Sequence, residues 1–298
     1  MHSLVRIFKK ITNNPWILLE KLLYTKIGRT IPTKQYLKIQ YRGKFKKKLN
    51  FKNPKTYAEK IQLLKISNFD NSLSKLVDKY EVRKYIGEKI GEEFLIPLIG
   101  VYNSPDEIDF SKLPNQFVLK CTHDSQSVVI CWDKNDFNIE DAKKKLFSNL
   151  QKNAYNYSRE YFYKELPRRI ICEEIIGDGK NAPLDYKFMC FNGKVQFIII
   201  DYDRFTAHSR DFYDVDWNRL KITTDCPIST YEQSKPKLLP QMIDICEKLS
   251  ANYKHVRVDL YCVNNKIYFG ELTFMPWAGL IEFSPNDWNY KLGNLIDI

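Results

Sequence analysis

Near the C-terminus two carboxylates stand inside otherwise apolar strands, a placement that charged side chains adopt only with a partner for their charge. The chain reads Val256-Arg-Val-Asp-Leu-Tyr-Cys262, then a polar turn at Asn264-Asn265, then Lys266-Ile-Tyr-Phe-Gly-Glu-Leu-Thr-Phe274. The period of two predicts a hairpin with Val256, Val258, Leu260 and Cys262 on one face and Arg257, Asp259 and Tyr261 on the other. A two-residue turn would pair Asp259 with Gly270 and send Glu271 to the opposite face, whereas a three-residue loop sets Asp259 across from Glu271. Only an odd loop keeps one face apolar. The sequence therefore predicts a loop with an odd number of residues and the two acids side by side, their Cβ atoms about 4.5–5.5 Å apart. Like charges at that distance repel, and a divalent ion removes the repulsion. Oxygen ligands in a site open to water point to Mg2+, normally held by one or two carboxylates plus nucleotide phosphates. The competing reading of the hairpin alone is a half-exposed strand face whose acids pair with Arg257 or a nearby Lys.

Upstream, Pro54 to Ile66 suggests a helix with Thr56 and Glu59 spaced as a capping box, and the helical pattern continues over residues 73 to 90 until Gly91. Leu95 to Tyr102, Asn115 to Cys121 and Val128 to Cys131 read as strands, the last two joined by the polar loop Thr122-His-Asp-Ser-Gln-Ser127. Asn138 to Lys152 is an amphipathic helix, and Ile170-Ile-Cys-Glu-Glu-Ile-Ile176 a strand. Leu184 to Cys190 and Lys194 to Asp201 flank Asn192-Gly193, a type I′ hairpin signature that groups Asp185, Lys187 and Met189 on one face. Pro236 to Ser250 is a further amphipathic helix.

A chain of 298 residues with 44% hydrophobic content can bury a large core. Seven cysteines without CxxC or metal spacing read as small buried hydrophobes in a reducing compartment. No segment approaches about 18 apolar residues and the N-terminal apolar stretch is cut by Glu20, so the expected location is the cytoplasm. The net charge of +11 is unevenly placed: residues 1 to 55 hold fifteen Lys/Arg and one acid, Glu20. Leu4, Ile7, Phe8 and Ile11 recur there at helical spacing beside Arg6, Lys9 and Lys10, with a second basic cluster at Lys44, Lys46, Lys47 and Lys48. Such a stretch can hold an anionic membrane surface at the inner face of a membrane or an acidic polysaccharide, or be a solvated helix face docked on the main body. No aromatic RNA-binding pattern or DNA-reading helix is present, so nucleic acid is not expected as a partner.

Four features follow one another along the chain: Lys79 early on a helix, Lys120 at a strand end, the acidic pair Glu173-Glu174, and the Asp259/Glu271 hairpin. Their order suggests a nucleotide site, with lysines as point charges on phosphates, a carboxylate on the ribose and Mg2+ on the phosphate tail. The chain resembles the ATP-grasp superfamily, and within it the TupA-like family typified by teichuronopeptide-biosynthesis proteins. The resemblance is carried by Asn53-Pro-Lys-Thr56, Asp78-Lys-Tyr-Glu-Val-Arg83, Phe117-Val-Leu-Lys-Cys-Thr-His-Asp124, Asp185-Tyr-Lys-Phe-Met-Cys-Phe-Asn-Gly193, Asp203-Arg-Phe-Thr206, Phe212-Tyr-Asp-Val-Asp-Trp-Asn218, Arg257-Val-Asp-Leu-Tyr261 and Gly270-Glu-Leu-Thr-Phe274.

The resemblance implies an α+β ATP-grasp fold, two lobes clasping ATP under a mobile lid, with a basic helical N-terminal extension. The divisions would be 1–55 (extension), 56–115 (N-terminal lobe), 116–175 (lid subdomain) and 176–298 (C-terminal core with the metal site). It implies that Lys79 and Lys120 contact ATP phosphates, that Glu173 to Ile176, including Glu174, binds adenine and ribose, and that Asp185 and Lys187 add to the ATP site. Asp259, Glu271 and Thr273 would hold Mg2+, and Arg204, His208, Arg210 and Arg257 would face the reacting acyl and phosphoryl groups. The implied reaction is ATP-dependent ligation of a carboxylate to an amine through an acyl phosphate, acting on a uronic-acid-containing sugar or polymer of the capsule or cell wall. A kinase and a non-catalytic nucleotide-binding scaffold are the alternatives. Three departures from the family pattern stand out: the lid loop Asp124-Ser-Gln-Ser127 has no glycine, Thr273 stands where many relatives have Asn, and Trp277 replaces a small residue in Met275-Pro-Trp-Ala-Gly279.

Overall fold

The computed structural model describes residues 16–67, 72–177, 179, 181–203 and 207–298. Two antiparallel sheets carry the chemistry-bearing residues. The first has four strands in the order β1-β4-β2-β3: β1 Leu98–Tyr102, β2 Phe117–Cys121, β3 Val129–Cys131 and β4 Ile170–Glu173. The second has six in the order β10-β9-β5-β6-β7-β8: β5 Asp185–Phe191, β6 Lys194–Tyr202, β7 Ser209–Tyr213, β8 Arg219–Leu220, β9 His255–Val263 and β10 Lys266–Thr273.

Each sheet is covered by an amphipathic helix of the expected kind. Ile139–Leu150, capped by the Asn138 side chain on Asp141 N, lays Leu146 and Leu150 on Phe117, Leu119 and Cys172. Leu239–Ser250 packs Met242, Ile245, Cys246 and Leu249 into the larger core around Phe188, Ile198 and Val258. The helix Tyr57–Leu64 starts at the predicted Thr56/Glu59 capping box and is pinned to β9 by a buried histidine. His255 Nδ1–H donates to Cys190 O (2.8 Å), which leaves Nε2 to accept from the Tyr57 hydroxyl (3.0 Å). Burial above all keeps this imidazole neutral, its pKa lowered to about 4. All seven cysteines are free thiols and five are buried, as small hydrophobes in these cores would be.

Both hairpins turn in two residues. Asn192 and Gly193 have φ of 49° and 75°, the type I′ geometry expected, and the pairs Phe191–Lys194 and Cys190–Val195 follow from it; a register shift between Cys190 and Met189 then sets Lys187 opposite Ile199. The expectation of an odd loop after β9 is corrected: Val263 pairs with Lys266, and Asn264 and Asn265, with φ of 52° and 57°, make a two-residue turn. Asparagine tolerates the left-handed region, so the tight turn is available. Asp259 is nevertheless the partner of Glu271, because the register shifts between Phe269 and Glu271 and leaves Gly270 as the extra residue of a β-bulge. The bulge performs the parity change assigned to the loop. It puts Ile267 and Phe269 before it, and Leu272 and Phe274 after it, all into the core.

Two helical and strand expectations are shortened. The pattern over 73–90 is broken into Ser72–Val77 and Val82–Lys89, because the buried Asp78 carboxylate accepts from the backbone N–H groups of Tyr80 and Glu81 (both 2.9 Å) and makes a turn instead. The strand read over 170–176 stops at Glu173, and Glu174 N–H bonds Pro97 O (3.0 Å). At the N-terminus, the helices Trp16–Leu23, Lys26–Thr30 and Thr33–Phe45 build their own small core from Leu23, Tyr36, Leu37, Tyr41, Leu49 and Ala58. The helical pattern expected over Leu4 to Ile11 lies outside the described residues.

A Cβ at Gly270 would approach Asp259 O to 3.0 Å and the Tyr261 ring to 3.2 Å. Gly270→Val should therefore lower stability by about 1–3 kcal/mol in urea unfolding. An unchanged midpoint would show that the bulge does not depend on glycine.

Candidate functional site

The site grows from one face of the six-stranded sheet. Antiparallel pairing sets Lys187 of β5 beside Asp259 of β9 and Asp185 beside Tyr261. The buried Lys187 ammonium bonds the Asp185 carboxylate two residues away on the same face, and lies 3.9 Å from Asp201 Oδ2 and 3.9 Å from Asp259 Oδ2. One cation thus holds three acids from three strands.

Arg257 neutralises the hairpin. Its Nε and one terminal nitrogen take both oxygens of Asp259 (2.6 and 2.7 Å), and that terminal nitrogen also reaches Glu271 Oε1 at 2.7 Å. Thr273 Oγ donates to the same Glu271 oxygen at 2.9 Å. The two acids respond differently to one guanidinium. Asp259 is almost fully buried, and desolvation raises its pKa against the pull of Arg257. Burial would raise Glu271 too, but Arg257, Lys79, the Thr273 bond and Lys187 outweigh it and hold the carboxyl at about 2. Arg257 thus sits between the two acids.

A second charged group continues along β6 and β7, where Asp201 pairs with Arg210. Asp201 Oδ1 accepts from Arg210 Nε (2.6 Å) and lies 2.8 Å from His208 Nε2. Arg210 is also held by Thr224 Oγ (3.0 Å) and Asp225 Oδ1 (3.1 Å), and its guanidinium lies over the Trp277 ring at 5.3 Å. Arg204 lies outside the described residues. Trp277 stands in a run of three left-handed residues, Trp277, Ala278 and Gly279, with φ of 54°, 52° and 64°. A non-glycine residue pays for that conformation. Two buried side chains from the Tyr57–Leu64 helix and its end hold the turn: Gln62 Nε2 donates to Ala278 O and Gly279 O (2.9 and 3.1 Å), and Lys65 Nζ to Ala278 O (2.7 Å). Burial raises the pKa of Glu160 and lowers that of Lys65, each opposed by the other's charge.

The four-stranded sheet supplies the third group. Lys120 Nζ is 2.6 Å from Glu173 Oε2, and Arg83 is 3.4 Å from Glu173 Oε1 and bonds Ile96 O at 2.9 Å. Lys79 stands in the turn made by Asp78, its N–H bonded to Thr122 O (3.0 Å) and its ammonium to Asp124 O. Lys79 is close enough to lower the Glu271 pKa, and Glu173 close enough to help Asp185, Glu271 and Asp259 raise that of Tyr261, whose largest perturbation is burial. Glu173 of the four-stranded sheet and Asp185, Asp259 and Glu271 of the six-stranded sheet thus all act on Tyr261. Glu174 is exposed and Ile176 half-buried, both past the end of β4. The glycine-free loop is closed by its own side chains: Ser127 Oγ donates to Asp124 Oδ1 and accepts from Cys121 N–H at 2.7 Å. His123 is buried and 3.3 Å from Asn149 O, a core residue by its surroundings.

The hairpin fits a divalent cation by its chemistry. Two carboxylates and a hydroxyl share one strand face, and positive charge, here the guanidinium, already stands between the acids. Among the described residues no group of three or more His, Cys, Asp or Glu could hold a metal ion; Mg2+ is commonly held by one or two carboxylates with water and phosphate as its further ligands.

Sequence reading had singled out Lys187, Asp259 and Glu271, but not Asp201, Arg83 or the buried Lys65 and Glu160. Asp201 had a signal: it closes the apolar run Phe197-Ile-Ile-Ile200, just as Asp259 interrupts one. Lys65 and Glu160 are ninety-five positions apart on a helix end and a loop, and no local pattern joins them.

A family model described as TupA-like ATP-grasp matches residues 59–297. No curated protein matches the chain. Among solved structures, the D-alanine–D-alanine ligase from Bacillus anthracis complexed with ATP is similar at 18% identity and a TM-score of 0.37, over 67% of this chain and 53% of that one. The L-amino acid ligase from Bacillus licheniformis is similar at 13% identity and a TM-score of 0.46, over 89% of this chain and 61% of that one. The chain spans about half the length of the first of these. The family match covers most of the chain, which belongs to the TupA-like ATP-grasp family and has the α+β ATP-grasp fold.

Asp201 carries a direct test of the charged face. Burial would raise its pKa, but Arg210 and Lys187 with the His208 bond hold it at about 2. A carboxyl lowered in the folded state stabilises fully above its unfolded pKa and loses that contribution as pH falls through the folded one. Asp201→Asn should cost about 2–3 kcal/mol at neutral pH, and the deficit should shrink between about pH 4 and pH 2 in urea titrations. A deficit independent of pH would contradict this pairing.

Proposed function

We propose that this TupA-like ATP-grasp protein is an ATP-dependent carboxylate–amine ligase that works through an acyl phosphate. The observation that carries the reading is that Asp259 and Glu271, paired across the Gly270 bulge, meet Lys187 of the neighbouring strand and Lys79 of the Asp78 turn, while Lys120 holds Glu173 on the four-stranded sheet. In this reading Lys79, Lys120 and Lys187 bind the ATP phosphates, and Glu173 with Glu174 and Ile176 lines the adenine and ribose end. Asp185 orients Lys187. Asp259 and Glu271, with Thr273, hold Mg2+, which when bound neutralises phosphate charge.

The ion pairs seen here define what ATP must exchange. Lys120 leaves Glu173, and Arg257 leaves the two carboxylates to face the acyl and phosphoryl oxygens. Arg210, set by Asp201, Thr224 and Asp225, stabilises charge at the acceptor end, with His208 beside it and Arg204 as the further cation of that group. The substrate carboxylate attacks the γ-phosphate, ADP leaves, and the amine displaces phosphate from the acyl carbon to form the amide. Positioning and charge stabilisation do most of the work. We assign the carboxylate or the amine to a uronic-acid-containing sugar or polymer of bacterial surface polysaccharide, the chemistry that the family resemblance implies.

A panel of uronates and other carboxylates, with amines, ATP and Mg2+, should include one that releases ADP and gives a hydroxamate with hydroxylamine. Glu271→Gln should lower that release by at least about 10²-fold. ADP release with a stable phosphorylated acceptor and no hydroxamate would identify a kinase instead, and no ADP release with any carboxylate would count against ligase chemistry.

A further inference from the structure

The N-terminal helices present a surface that the proposed reaction does not use. Within nine residues, Leu19, Leu22, Tyr24 and Ile27 are exposed, Ile27 by 64%. Leu19 and Leu22 lie one turn apart on the Trp16–Leu23 helix, and Ile27 opens the next helix, Lys26–Thr30. On the same stretch Lys21, Lys26 and Arg29 are exposed, and so are Lys34 and Lys38 of the Thr33–Phe45 helix. The one acid between Trp16 and Ala58 is Glu20, and it is turned inward: its Oε2 would lie 2.5 Å from a Cβ at Gly43 on the Thr33–Phe45 helix. Glu20 is half-buried, and every fully exposed charge between Trp16 and Ala58 is positive.

This surface is fixed to the body of the protein. The Tyr36 hydroxyl lies 3.3 and 3.1 Å from Asn156 O and Tyr157 O, and Gln40 Nε2 donates to Tyr157 O at 3.0 Å. The buried Arg159 lies 4.2 Å from the Tyr36 ring centroid and donates to Gly28 O at 2.8 Å. Among the described residues no helix is long and apolar enough to cross a membrane, so a lipid partner would be met at its surface.

We propose that the helices Trp16–Leu23 and Lys26–Thr30 dock on an anionic lipid membrane. Leu19, Leu22, Tyr24 and Ile27 enter the boundary between headgroups and acyl chains, and the surrounding Lys and Arg side chains reach lipid phosphates. The paired apolar and basic character selects this occupant: a soluble polyanion would draw on the charge alone. The inference is independent of the ligase reading, because vesicle binding requires no substrate and no turnover.

Full-length protein should co-sediment with vesicles of phosphatidylcholine mixed with phosphatidylglycerol, bind phosphatidylcholine alone weakly, and be released by salt. The double variant Leu22→Glu with Ile27→Glu should bind the mixed vesicles at least about tenfold more weakly, since both side chains would otherwise leave water. Lys26→Glu with Arg29→Glu should weaken binding as well, and unchanged thermal midpoints would show both variants folded. Equal binding by the Leu22/Ile27 variant and the wild type would overturn the proposal, as would no binding to either vesicle. Retention of an acidic polysaccharide that the charge variant loses and the apolar variant keeps, without vesicle binding, would assign the surface to a polymer instead.

Discussion

Charge compensation on one face of the six-stranded sheet is the constraint from which the site follows. Asp185, Asp201 and Asp259 come from three neighbouring strands whose opposite face is the apolar core, and Lys187 stands among them. Burying an ion is tolerable only when partners replace its hydration. Here each acid has at least one cation within ion-pair distance, and Arg257 and Arg210 extend the network to Glu271 and Asp225. Such a network stabilises the fold only weakly against an apolar alternative. It holds several charges in fixed positions, which in the proposed function is what ATP would meet.

The chain builds this face with turns and bulges as much as with strands. Gly270 shifts the register of β10 so that Glu271 lies across from Asp259 while Leu272 and Phe274 stay in the core. Trp277 and Ala278 keep left-handed backbone because Gln62 and Lys65 grip the carbonyls beside them, which sets the Trp277 ring against Arg210. Asp78 interrupts a helix to present Lys79. In each case a local departure from regular structure places a side chain of the charged face or beside it.

Much of this was legible from residue pattern. Alternation predicted the strands, Asn192-Gly193 its turn, and Thr56/Glu59 its capping box, because each rests on interactions between near neighbours. The pairing of Asp259 with Glu271 was also predicted, but for the wrong reason. Two parity changes, in the loop or in the strand, satisfy the same hydrophobic pattern, and the sequence does not say which is used. The breaks at Asp78 and Glu173 escaped because helix and strand periodicity continue through them, while the competing hydrogen bonds come from a side chain and from Pro97. Lys65 with Glu160, and Lys120 with Glu173, depend on contacts made only by the folded chain.

In the proposed function the face defined by Asp259 and Glu271 receives a nucleotide together with a divalent cation. Calorimetric titration of the full-length protein with a non-hydrolysable ATP analogue, with and without Mg2+, tests it without requiring the substrate. The analogue should bind, and Mg2+ should tighten that binding at least about tenfold, a difference of about 1.4 kcal/mol. Equal affinity with and without Mg2+, or no binding in either condition, would contradict it.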